Sequence, residues 1–165
     1  MVKMHVYRVA IDPHKRVPLV LLADEEMERL LPIYIGIFEA NAIASEMQDL
    51  DFPRPLTHDL LRNLIEELGL RLETVLITHL REGVFYAVLQ IEGPGTALEL
   101  DSRPSDAIAL ALRTGSPILV AEEVLEVAQI LPSDLQDEDE SQRLRELLEE
   151  LPVDPDLLDL DEPGE

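Results

Sequence analysis

Two periodicities divide the chain. Apolar residues alternate with polar ones, or run together in short blocks, through residues 4–11, 17–23, 30–35, 70–80, 84–91 and 96–100, and these six segments predict strands. In the first, Val6, Val9 and Ile11 supply a buried face; a turn over 12–16 makes it a hairpin with the second, where Pro18 is tolerated near a strand start. Residues 70–80, 84–91 and 96–100 form a three-strand meander, with turns at Arg81-Glu82-Gly83 and Glu92-Gly93-Pro94-Gly95. Helical spacing takes over at about 37–50, where Ile37, Ala40, Ala44 and Met47 share a side, and again at 57–69 and from about 104 to 113. A short strand over 117–120 and a helix over 122–131 follow. The pattern predicts an α+β fold: one compact domain over residues 1–132, with a mostly antiparallel sheet packed against helices. Residues 133–165 read as an acidic, solvated and mobile tail holding a short amphipathic helix with Leu144, Leu147, Leu148 and Leu151 on one face.

The stretch 99–113 carries unusual polar density at the mouth of an oily helix. Residues 107–112 are all apolar, as in a helix buried on most of its circumference, and the strand before them ends near Leu100. Two registrations fit: Ser102 is the N-cap with Pro104 in the first turn, or Arg103 is the cap and Pro104 the first helical residue. Either way Asp106 falls in the first turn, where free N–H groups favour a carboxylate, and Asp101 stands just before it. Acids and serine that simply cap the helix account for this corner. So does a site for a hard cation or a phosphate, since carboxylates suit the first and an arginine at a helix N-terminus suits the second.

Two other helix starts repeat the arrangement. Gly36-Ile37-Phe38-Glu39-Ala40 places Glu39 in a first turn. In Arg54-Pro55-Leu56-Thr57-His58-Asp59, Thr57 serves as N-cap, Leu56 and Leu61 have the spacing of a hydrophobic staple, and the dipole at His58 favours the neutral imidazole that a general base needs. His79 and the tyrosines at 7, 34 and 86 lie within strands, where packing is the expected role.

Composition narrows the function classes. The chain has no cysteine, which excludes disulfides, thiolate metal sites and a cysteine nucleophile and is compatible with a cytoplasmic location. No apolar run reaches membrane-spanning length, so no membrane partner is expected. The net charge of −22 is uneven, with 17 of the 35 acidic residues lying from residue 121 onward against two arginines. Such a balance repels a phosphate backbone, so nucleic-acid binding would need metal ions or a local arginine cluster. There is no glycine-rich phosphate loop and no Gly-x-Ser-x-Gly elbow.

Taken together and in order, Gly36-Ile37-Phe38-Glu39-Ala40 with Ala42-Ile43-Ala44, Arg54-Pro55-Leu56-Thr57-His58-Asp59-Leu60, and residues 101–111 from Asp101-Ser102-Arg103-Pro104-Ser105-Asp106 onward resemble the bifunctional nuclease domain family. The resemblance covers residues 1–132. It implies a compact α+β domain and hydrolysis of phosphodiester bonds in DNA or RNA. Weighed against that chemistry, Glu39, Asp101 and Asp106 are expected to hold a divalent cation, Mg²⁺ or Mn²⁺. His58 activates water with Asp59 orienting it, and Arg103 and Asp106 complete the catalytic set. Arg54, Thr57, Ser102 and Ser105 bind substrate. The competing expectation is a non-enzymatic homo-oligomeric binding or regulatory module, a dimer or larger, whose polar corners stitch helices and subunits together.

Overall fold

A computed structural model describes residues 1–12 and 15–131. The acidic segment from residue 133, with its leucine stripe, lies outside the described residues. Seven strands form one sheet: β1 (Val2–Asp12), β2 (Val17–Asp24), β3 (Leu30–Tyr34), β4 (Arg71–Arg81), β5 (Val84–Gly93), β6 (Thr96–Ser102) and β7 (Ile118–Val120). Four helices accompany them, α1 (Ile37–Met47), α2 (Thr57–Glu67), α3 (Pro104–Thr114) and α4 (Glu122–Ala128). The fold is α+β.

The expected hairpin and meander both form. β1 pairs antiparallel with β2 and β2 with β3; β4 pairs antiparallel with β5 and β5 with β6. The two halves meet at β7, which lies antiparallel to β1 and parallel to β4, giving the order β3-β2-β1-β7-β4-β5-β6. Pro32 sits in β3 without cost to the ladder because β3 is an edge strand and needs no second partner. β2, apolar almost throughout, is buried on both faces. Val20 and Leu22 belong to the main core, and Leu19, Leu21 and Ala23 to a smaller cluster with Ala10, Leu30 and Ile130.

The main core is centred on α3. Residues Ala107 to Ala111 are all essentially sealed from solvent, and α1 and α2 flank the helix while β4 and β5 lie beneath it. Alternating alanine with larger residues lets three elements approach α3 closely at little side-chain entropy cost. Gly115, at φ 69°, ends the helix in the left-handed conformation. In α1 the buried residues are Ala40, Ile43, Ala44 and Ser45. Ile37 and Met47, expected on that face, lie at the two ends of the helix and are exposed. α2 buries only His58. No helix among the described residues is long and apolar enough to cross a membrane.

Candidate functional site

Arg103 decides the register of the α3 corner. It is the cap residue, extended at φ −67° and ψ 142°, and Pro104 is the first helical residue, whose missing N–H costs nothing there. Ser102 remains in β6, and its hydroxyl donates to the Arg103 carbonyl at 3.0 Å. Asp106, one turn into α3, accepts from Arg103 Nε at 2.8 Å through Oδ2 and faces His58 Nε2 at 3.1 Å through Oδ1. Arg103 also reaches across to α1, where Nη2 donates to Glu39 Oε1 at 2.8 Å. The starts of α1, α2 and α3 therefore converge, as a line running Glu39, Arg103, Asp106, His58. Gly36 shapes one end of it: a Cβ at this position would collide with the Glu39 carboxylate.

Charge and proton positions follow from these contacts. Burial by itself raises the Asp106 carboxyl, but hydrogen bonds from Arg103 and His58 outweigh it and hold the group below its usual value. Asp106 and then Glu39 raise the Arg103 guanidinium further above its ordinary value. Because an ionised carboxylate only accepts, the His58 proton resides on Nε2, which leaves Nδ1 as the basic nitrogen. Nδ1 has no hydrogen-bond partner among the described residues and is not one of the sealed polar atoms. The imidazole side chain is otherwise 9% exposed.

Asp59 does not orient His58. Adjacent residues on a helix point in different directions, and Asp59 turns to Arg113, accepting from its Nε at 2.7 Å, and to the Leu56 N–H at 2.8 Å. That second bond gives α2 its cap: Leu56 occupies the cap position and Thr57, expected there, is the exposed first residue of the helix. Arg113 also donates to the carbonyls of Ala42 and Ala109, so one buried guanidinium ties α1, α2 and α3 together. Desolvation raises the Asp59 carboxyl, and the Leu56 N–H and Arg113 more than reverse it, leaving it below its ordinary value. Sequence reasoning missed Arg113. Its signal was a lone charge in the last turn of an apolar helix, which needs a buried partner.

The remaining expected residues divide. Ser105, buried at 6% exposure, lines a cavity of about 340 Å³ with Arg103, Tyr34 and Phe85. Arg54 lines a different hollow of about 360 Å³ that includes Asp59 and Arg62 and does not include Arg103, His58 or Asp106. Asp101 stays exposed on β6 opposite Val88, away from the carboxylates it was expected to join. The ligand set Glu39, Asp101 and Asp106 is therefore not assembled. Among the described residues no group of three or more His, Cys, Asp or Glu is placed to hold a metal ion. Arg103 stands between Glu39 and Asp106, and both Asp106 oxygens are engaged. This arrangement does not fit a resident divalent cation.

Comparison with known proteins places the corner in context. The family model of the bifunctional nuclease domain matches residues 20–133. An uncharacterized protein of Mycobacterium tuberculosis is 43% identical over 144 residues, covering 87% of this chain and 86% of that protein. Bifunctional nuclease 1 of Oryza sativa subsp. japonica is 28% identical over 130 residues, which span 74% of this chain and 39% of the rice protein. Bifunctional nuclease 2 of Arabidopsis thaliana is 26% identical over 111 residues, or 66% of this chain and 33% of the plant protein. The matched region contains α1, α2 and α3 with all four residues of the convergent line, and the chain belongs to the bifunctional nuclease domain family.

Proposed function

We propose that this protein is a nuclease that hydrolyses phosphodiester bonds in DNA or RNA, with His58 as base and Arg103 on the phosphate. The observation that carries the reading is Asp106, whose carboxylate takes His58 on one oxygen and Arg103 on the other. Fixed by Asp106, His58 offers Nδ1 to a water; as the water oxygen bonds to phosphorus its proton passes to Nδ1. The leaving oxygen then takes that proton as its bond to phosphorus breaks. Arg103, 66% exposed, exchanges Glu39 for phosphate oxygens, trading one anion for another on the same guanidinium. Asp106 acts through both partners and is a positioning residue. The expected Mg²⁺ or Mn²⁺ has no ready seat in this line, whose carboxylates are already engaged by Arg103 and His58.

The test is cleavage of labelled DNA and RNA by purified protein, with Asp106→Ala beside it and each assay run with Mg²⁺, with Mn²⁺ and with chelator. Asp106→Ala is expected to slow cleavage by about 100-fold or more while the circular dichroism spectrum stays unchanged. Equal cleavage by the variant removes the reading. Loss of wild-type activity in chelator assigns a cation that enters with the substrate, and retained activity leaves the His58 chemistry standing alone.

The reading as a homo-oligomeric binding module draws on a separate observation. Leu60 and Leu64 on α2 and Leu68 at its C-cap recur four residues apart at 54 to 65% exposure, with Leu61 beside them. If this stripe joins two copies, Leu64→Glu lowers the mass measured by light scattering to that of a single chain; an unchanged mass rejects the stripe as the joint.

A further inference from the structure

The cavity beside Arg103 has features that the hydrolytic line does not use. Its walls are apolar, formed by Ile33 and Ile35 from the third strand region and Val84 from the start of β5, and two aromatic rings, Tyr34 and Phe85, contribute to it. Its polar groups are few and lie together at the α3 end: the Arg103 guanidinium and the Ser105 hydroxyl. Ser105 is more than nine-tenths buried, yet its hydroxyl has no hydrogen-bond partner among the described residues. The hydroxyl is not one of the sealed polar atoms, so it opens onto the cavity and can pair with a molecule that enters. Ser105 also lies in the first turn of an eleven-residue helix that begins with a proline, where free backbone N–H groups favour an anion. Tyr34 is steadied from outside the lining by Lys15, whose Nζ lies 4.3 Å from the ring centre and donates to its hydroxyl at 3.2 Å.

Apolar and aromatic walls with anion-binding groups at one end match a molecule that is flat and oily at one end and phosphorylated at the other. We propose that the cavity is a subsite for one unpaired nucleobase, with the adjoining phosphate on Arg103 and Ser105, so that the protein acts on single-stranded nucleic acid. This rests on the nuclease reading given above. About 340 Å³ is at the small end of ligand sites and suits one base with its sugar. A base inside a duplex is stacked on both faces and paired at its edge, so it enters such a hollow only after being extruded, whereas a single strand presents its bases freely.

The experiment is calorimetric binding of adenosine monophosphate, phosphorylated at the 5′ or the 3′ position, against ribose 5-phosphate, which keeps the phosphate and lacks the base. The full chain is compared with Val84→Trp. Val84 is 54% exposed, so a tryptophan there fills the hollow with little strain on the core. The wild-type chain is expected to bind the tighter adenosine monophosphate about tenfold more strongly than ribose 5-phosphate. Val84→Trp is expected to abolish that preference while ribose 5-phosphate binds within about twofold of wild type. Equal binding of the two ligands, no binding of either, or a preference that survives Val84→Trp overturns the proposal. Cleavage assays separate the two readings. Base-dependent binding without any cleavage keeps the cavity and removes the nuclease, whereas cleavage of duplex and single strand at equal rates keeps the nuclease and removes the cavity.

Discussion

α3 carries an arginine at each end, and the two face opposite conditions. Arg113 has a side chain only 2% exposed and is held by Asp59, by two backbone carbonyls and, at 3.8 Å, by Glu46. Arg103 is 66% exposed and is held by two carboxylates, Glu39 and Asp106. A guanidinium has five N–H donors in a rigid fork. When neutral carbonyls in the protein wall take some of them, as at Arg113, the ion is fixed and its role is to join helices. When the guanidinium itself is exposed and only half-buried acids from separate elements hold it, as at Arg103, a dissolved anion can compete for it. Similar charge chemistry therefore gives a scaffold at one end of the helix and an exchangeable contact at the other.

The largest effect should come from breaking the closed end. Arg113→Met strands Asp59 beneath α2 and is expected to cost about 3 kcal/mol, the low end for a broken buried pair because Asp59 keeps its bond to Leu56. For a chain of this size that corresponds to about 10 °C in thermal midpoint, read by calorimetry. A shift below about 2 °C would mean that the closed end carries no structural weight. At the open end Glu39→Gln should leave the midpoint nearly unmoved and free Arg103 for phosphate, lowering KM by about threefold with kcat retained. If kcat collapses instead, the Glu39 carboxylate acts in the reaction rather than occupying the phosphate position.

A smaller effect sharpens the comparison through pH. Asp59 is held below its ordinary value, so its stabilising contribution is complete above about pH 4, the unfolded value, and disappears as pH falls through the lower folded value. The penalty of Arg113→Met, measured as a urea midpoint, should accordingly narrow as pH is taken from 7 to 3. A penalty that stays constant over that range would trace the loss to packing of the arginine stem rather than to the ion pair.

Much of this molecule could be read from residue order because local pattern and tertiary structure agree. The hairpin, the meander and the three long helices each carry an internal period, and the fold follows from their apolar faces. The convergence of three helix starts was also accessible, since Gly36, Asp59 and the Pro104 corner repeat one motif. The pairings inside the convergence were not. Glu39, Asp59 and Asp106 all occupy first turns and look alike locally; which one meets His58 depends on how α2 is rotated against α3, a property of packing. Arg54 and Asp101 stand apart from the convergent line for a related reason, since nearness in sequence to a cap does not fix the side from which a side chain reaches the cleft. β7 is three residues long, too short for any period to show that it fills the middle of the sheet.

That placement has a consequence for how the chain matures on the ribosome. Val120 is the seam: it pairs with Val2 on one side and Ile77 on the other, so β1 must wait for β7, which follows every other described strand in the chain, before the halves can close. A nascent chain halted before residue 118 holds two half-sheets whose inner edges, β1 and β4, stand bare, a form prone to stick to its neighbours. Contacts this distant along the chain slow folding, and until the seam strand is in place those two edges are the open ones.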